Sequence, residues 1–331
     1  MICQNAIGYH NEIQELLKKS MLNMNDAQIR AWMEHEFKPE TMFCYWQDGR
    51  LTSCLQTKRR ILSFKHQKIA VATISLAATL PDYRQRDQFG QLLEAFLEQS
   101  SHNELLTMVY TNFPKLFENR SFSCISKTKY YWIPADKCNQ GNDKNIRFYH
   151  PNIDLYPLYL EFMSHFDGSI ILSKKDFEDQ IHYAIDCKKK VALMMHGEKP
   201  HGFAIYKVLN NHVKIDVLVY LDSNAILDLL RYLAIRNDAI SFVVSMDERI
   251  EKLFPFDIPR NQGTILARLN NYKLFSKWTK EDVRNANQAF ELIQEPMRTY
   301  VESFYRIVLT TISPPRAKMK SYHIYFHINM I

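Results

Sequence analysis

Residues 69–80 read IAVATISLAATL, residues 81–90 PDYRQRDQFG and residues 91–100 QLLEAFLEQS. The first run is too apolar for an edge strand and is expected to be a central strand buried on both faces. The third places Leu92, Leu93, Phe96 and Leu97 on one helical face. Between them lies a charged loop carrying Arg84 and Arg86. Strand, charged loop and helix in that order is an arrangement that can hold an anion, because the N–H groups opening a helix and the helix dipole both favour negative charge there. Two arginines in a surface loop are more often merely solvated, so the weight rests on the surrounding order of elements.

Upstream, Ile13, Leu16 and Leu17 form one helical stripe, and a second helix is expected over 26–36; both should lie outside a sheet. Met42 to Gln47, the turn Asp48-Gly49 and Leu51 to Thr57 have the grammar of a hairpin. A further pair, Ile61 to Phe64 and Ile69 to Leu80, flanks the polar tip at 65–68. Downstream follow a short strand over 105–110, a small helix near 114–118 and a strand near 129–133. The polar stretch PADKCNQGNDKN (134–145) marks a boundary. Beyond it come helices in 153–166 and 174–186 and a hairpin of VALMMH with HGFAIYKVL closed at Gly197 to Pro200. A strand (212–221), a helix (224–237) and a strand (240–245) then repeat the order of the first half without its charged loop. The expected class is α/β with mixed sheets, in two units joined near Cys138 to Arg147.

Composition narrows the chemistry. The chain has 331 residues with 42 basic and 36 acidic side chains, a surplus of +6 that neither demands nor forbids an acidic ligand. Glycine is scarce, 8 of 331, and no G-x-G-x-x-G or Walker loop occurs, which excludes those nucleotide-binding fingerprints. The six cysteines form no C-x-x-C pair, so free thiols in a reducing cytoplasm are expected. No stretch nears ~18 consecutive apolar residues, and neither secretion nor a membrane partner is expected.

The loop and its neighbours resemble a known family. Pro81-Asp82-Tyr83-Arg84-Gln85-Arg86-Asp87 is similar to P-x-Y/H-R-x-R-G, and Leu116-Phe117-Glu118-Asn119-Arg120-Ser121-Phe122 to F-Y-x-x-x-G-W/Y, of the Eis-like (enhanced intracellular survival) branch of the GNAT N-acetyltransferases. The hairpin within 44–70 resembles that branch's "DGKLVS" hairpin, HFDGSIILSKKDF (165–177) its "YDG" junction, and GFAIYKV and GTILARL its later strands. The resemblance spans about residues 11–274. It implies two tandem GNAT-like domains, 1–137 with the acetyl-CoA site and 138–274, followed by 275–331, a truncated or divergent remnant of a sterol-carrier-like region. Acetyl-CoA as co-substrate would pair with the backbone of Ala77, Ala78 and Thr79, with its pyrophosphate cradled by Arg84, Gln85, Arg86, Asp87, Gln88, Phe89 and Gly90. The acceptor would be a small-molecule or peptide amine, and the family implies a homo-oligomer.

Three departures bear on activity. Asp87 replaces the loop glycine, bringing a carboxylate to the place of a phosphate and, as a side-chain N-cap, competing for the N–H of Phe89 or Gly90. Phe117 replaces the tyrosine that protonates the leaving thiolate, so no catalytic residue can be named. Ser121 replaces the glycine before the aromatic. Hence a non-catalytic relative used for binding or assembly is the alternative. The terminal carboxylate of Ile331 cannot be given the family's role, because SPPRAKMKSYHIYFHINMI (313–331) does not align. No metal is expected: His196, His201 and His212 read as turn residues, and His323 and His327 lack a zincin glutamate. Tyr130, Tyr131 and Trp132 read as core rather than a base-stacking surface, so no nucleic-acid partner is expected. Cys124 lacks a histidine partner in sequence.

Overall fold

The computed structural model describes residues 1–64, 67–166, 169–245, 248–285, 288 and 291. The expected helix over 282–293, the segment 300–311, both histidines at 323 and 327, the terminal carboxylate and the Asp-Gly of the "YDG" junction lie wholly or partly outside these residues. In chain order the strands are β1 (Ile2–Gln4), β2 (Met42–Gln47), β3 (Arg50–Phe64), β4 (Gln67–Thr79), β5 (Leu106–Thr111), β6 (Ser123–Pro134), β7 (Ile146–Phe148), β8 (Ser169–Ile171), β9 (Lys190–His196), β10 (Lys199–Leu209), β11 (His212–Tyr220), β12 (Ala239–Ser245) and β13 (Arg260–Leu269). The helices are α1 (His10–Ser20), α2 (Asp26–His35), α3 (Gln88–Asn103), α4 (Lys115–Glu118), α5 (Tyr156–Ser164), α6 (Lys174–Asp186), α7 (Ser223–Ala234) and α8 (Tyr272–Thr279).

The class is mixed α/β, as the sequence pattern implies. The two halves nevertheless share one 13-stranded sheet, ordered β1-β2-β3-β4-β5-β13-β6-β12-β11-β10-β9-β7, with β8 on the free edge of β3. The halves exchange their last strands: β13 enters between β5 and β6, while β6 runs on to pair with β12. Every residue from Val71 to Leu80 is buried, and α1 and α3 both pack on β3 and β4. This central position is why β4 lacks alternation.

The parallel pair β4–β5 is short. Val71, Ala72 and Thr73 face Leu106, Thr107 and Met108, after which the two strands part, while β5 stays paired with β13 from Leu106 to Thr111. Among the described residues no strand pairs with the second edge of 74–79. The second half repeats the device: His212, Val213 and Lys214 face Ala239, Ile240 and Ser241, and then β11 and β12 separate. Each half therefore contains a wedge-shaped opening at the carboxyl end of its central strand.

β3 corrects the sequence reading, which placed two short strands over 51–57 and 61–64. One strand of 15 residues crosses the whole span, with a bulge between Gln56 and Thr57. The charged run between them is inside the protein. Lys58 is buried against the buried carboxylate of Glu36, and Arg60 lies 2.7 Å from Asp176. Polar residues read as a loop because their partners come from α2 and α6.

Lys214 gives a pH signature. Burial pulls its ammonium down to about 8 from 10.5, with Asp216 opposing and Lys207 and Lys189 assisting. Between about 8 and 10.5 the unfolded chain binds more protons at this site, so its contribution to stability rises with pH. The melting temperature of the wild type is expected to gain on that of Lys214→Met from pH 8 to 10.5. Parallel melting curves across that range would refute this.

Candidate functional site

The first opening ends at the N-terminus of α3. Residues 81–83 make one 3-10 turn after β4, and the chain then takes left-handed conformations at Gln85 (φ 62°) and Asp87 (φ 52°) before entering the helix. Ser121 is also left-handed, with φ 59°. The two positions where the resembled pattern has glycine thus carry glycine-type backbone. An L-residue there costs about 1 kcal/mol, least for Asp and Asn.

Asp87 does not cap α3 through its side chain, contrary to the sequence expectation; no side-chain cap bond is present. Its carboxylate instead lies over Gly90, and its Oδ1 accepts from Arg120 Nη2 at 3.4 Å. Arg120 also approaches Glu94 at 3.2 Å. Its guanidinium crosses the first turn of α3 directly above Gly90, where a Cβ would fall 2.1 Å from Arg120 Nη2. A side chain at 90 would displace the ends of Arg120 and Asp87 from this position. Sequence reading missed Arg120 because 33 residues separate it from Asp87.

The two loop arginines divide. Arg84 donates from Nε to the Thr79 carbonyl at 3.3 Å and from Nη2 to the Ser20 carbonyl at 3.3 Å. It thereby ties the end of β4 to the end of α1, a positioning task rather than a free cation. Arg86 is exposed, with its guanidinium 5.0 Å from the centre of the Tyr83 ring. Gln88 is buried and donates to Gln47 at 2.9 Å. Ala77, Ala78 and Thr79 are buried; Ser53 donates to the Ala78 carbonyl at 3.0 Å and lies 2.7 Å from the Thr79 hydroxyl. An open cavity of about 360 Å³ adjoins Leu80, with Glu12, Glu15 and Trp46 in its wall.

Phe117 is fully buried, edge-on to Phe89 at 5.7 Å and to Phe122 at 5.2 Å. This aromatic cluster joins α4 to the start of α3. Tyr110 is buried in β5; its oxygen lies 3.4 Å from the Thr128 hydroxyl, and its ring covers Gly263. Cys124 is exposed, and burial of its surroundings raises its thiol above the ordinary range, which disfavours a nucleophilic thiolate.

The second opening differs at its helix. Asp222 caps α7 by accepting from the Ala225 N–H at 2.8 Å and also binds His201 at 3.0 Å. This corrects the reading of His201 as a turn histidine without a carboxylate. Trp132 is not core either: it is half exposed and stacks on His212 at 4.0 Å, whereas Tyr131 is buried on Phe242. His212 is partly buried rather than an open turn residue, and burial together with Lys214 lowers its imidazole below the ordinary range.

Comparison with known proteins agrees with this architecture. Residues 6–119 match the family model described as an acetyltransferase (GNAT) domain. No curated protein matches the chain. Among solved structures, a GCN5-related N-acetyltransferase from Anabaena variabilis is 14% identical with a TM-score of 0.69, over 82% of this chain and 73% of that one. One from Kribbella flavida is 12% identical with a TM-score of 0.63, over 82% and 72%. Eis1 from Mycobacterium abscessus is 13% identical with a TM-score of 0.61, over 83% and 75%. At these identities the likeness establishes the GNAT fold. Among the described residues no helix is long and apolar enough to cross a membrane.

Proposed function

We propose that the chain is an Eis-like N-acetyltransferase that moves the acetyl group of acetyl-CoA onto a primary amine. The observation that carries this reading is the opening between β4 and β5, where among the described residues no second strand pairs with β4 at 77–79, the Thr79 carbonyl accepts from Arg84, and the chain runs on to the N-terminus of α3, which has no side-chain cap. An extended amide-containing arm can add to such an edge as a strand would. The N–H groups of Gln88, Phe89 and Gly90 then face the pyrophosphate with the helix dipole behind them. Arg86 and Arg120 supply positive charge, while Arg84 holds the end of β4 in place. At the second opening Asp222 already occupies the helix N-terminus, which favours the first half, 1–137, as the cofactor half and leaves 138–274 without a matching site.

In the proposed reaction the unprotonated amine nitrogen attacks the thioester carbonyl. The C–N bond forms, the C–S bond breaks, the amine loses its proton and the thiolate receives one. The cavity beside Leu80 carries Glu12 and Glu15 together with Lys19 and Arg50, a wall of mixed charge that selects no charge state of the amine. The chain's own contribution is alignment and charge, because Phe117 brings no hydroxyl to the sulfur.

One arrangement favours the second reading, a GNAT-fold binding or assembly protein without turnover. The Asp87–Arg120 pair lies over Gly90 in the space of the cradle, and the ring at 117 is sealed among phenylalanines. The two readings separate by titration calorimetry and free-thiol release. Wild-type protein is expected to bind acetyl-CoA. Asp87→Gly should tighten binding about tenfold, corresponding to ~1.4 kcal/mol, by removing a carboxylate and freeing Arg120 for phosphate. Arg120→Ala should weaken binding and reduce its salt dependence. Release of thiol across a panel of primary amines supports the enzyme; tight binding with no release from any amine supports the binding protein. An unchanged dissociation constant in both variants would show that the α3 N-terminus does not face a phosphate.

A further inference from the structure

Away from both openings, the seam between α2 and α6 gathers another set of side chains. Glu34 and His35 end α2, and His182 and Asp186 lie one turn apart at the end of α6. His35 Nε2 is 2.7 Å from Asp186 Oδ2. The donor atoms of Glu34, His35 and Asp186 lie within 4.8 Å of one another. The ring of His182 stands 6.0 Å from that of His35. We propose that Glu34, His35, His182 and Asp186 form a zinc site that clamps α2 of the first half to α6 of the second.

The donor chemistry selects the ion. Two imidazoles with two carboxylates make a nitrogen and oxygen set that suits Zn²⁺ better than Mg²⁺ or Ca²⁺, which prefer oxygen alone. Tetrahedral coordination at ~2.0–2.2 Å places neighbouring donor atoms ~3.3 Å apart. His35 and Asp186 therefore open by about half an ångström from their hydrogen bond, and the ion replaces the shared proton. His182 is exposed, with its ring 6.0 Å from that of His35, and would join as the fourth ligand through a change of rotamer. The pairs Lys58–Glu36 and Arg60–Asp176 tie the end of α2 and the start of α6 to β3, so both helices are anchored on the same strand before metal arrives. Binding to the folded seam alone stabilises the chain by mass action. None of this depends on acyl transfer.

The test is calorimetric titration of metal-stripped full-length chain with ZnCl₂, beside melting curves with and without zinc. One equivalent is expected to bind and to raise the melting temperature. His182→Gln and Asp186→Asn should each weaken binding at least as much as loss of an outer-shell partner does, about 10–100-fold. Both substitutions lie at exposed positions and should leave the metal-free melting temperature unchanged. Cobalt in place of zinc should show ligand-field bands without thiolate charge transfer. The proposal is overturned by absence of stoichiometric binding, by wild-type affinity in both variants, or by a thiolate–cobalt band, which would assign the metal to the cysteines.

Discussion

Phe117→Tyr is expected to raise the rate of acetyl transfer at saturating acetyl-CoA by about a hundredfold, the lower end of what a placed general acid supplies, ~10²–10⁴. Under the proposed function the wild-type ring stands where the resembled pattern has its acid and offers carbon where a proton is needed, so departure of the thiolate would limit turnover. The lower end is expected because the ring is fully enclosed by its neighbours Phe89 and Phe122. A new hydroxyl must either reach the opening or remain buried without a partner, at a cost of about 1–3 kcal/mol. Single-turnover thiol release and a melting curve on the same sample read both quantities. Faster release with an unchanged fold supports the acid role. A well-folded variant with no gain would mean that proton transfer is handled elsewhere.

The largest stability effect is expected at the buried pair beneath α2. Glu36→Ala removes the partner of Lys58, whose side chain is only 7% exposed, and stranding a buried charge of this kind costs about 3–5 kcal/mol. Lys58→Met combined with Glu36→Ala should recover most of the loss, since replacing a buried pair by apolar volume is often neutral. Burial lowers the pKa of Lys58 despite Glu36. Above its folded pKa the unfolded chain binds more protons at Lys58, and stability rises with pH toward the ordinary lysine range. Glu36 raises the Lys58 pKa, so its removal lowers that pKa further in the variant. Between the variant's folded pKa and the wild type's, only the variant gains stability with pH, and the deficit of Glu36→Ala should shrink there. Urea denaturation at two pH values measures it; a deficit independent of pH would contradict the assignment to Lys58.

The sequence disclosed what periodicity and punctuation encode. β4 was legible because a strand covered on both faces must be apolar throughout, and α3 and α7 because each keeps one clean stripe. Most of what was hidden depends on partners far apart in the chain. Lys58 and Arg60 look like a loop until Glu36 and Asp176 neutralise them, so the long β3 could not be read locally. The exchange of β6 and β13 leaves no trace in either strand's own composition. At the candidate site the pattern located the left-handed positions Asp87 and Ser121 through the missing glycines. It misassigned the side chain of Asp87 because residue type alone favours capping, whereas the backbone at φ 52° turns that carboxylate toward Arg120. Arg84 was legible as a cation but not as one committed to the carbonyls of Ser20 and Thr79.

Amide hydrogen exchange with and without acetyl-CoA tests the central claim most directly, since it reports on the backbone edge itself. The account predicts that acetyl-CoA slows exchange at 77–79 and at 88–90 while leaving 217–226, the matching stretch of the second half, unchanged. Protection confined to the second opening, or no protection at 77–79 under saturating acetyl-CoA, would contradict it.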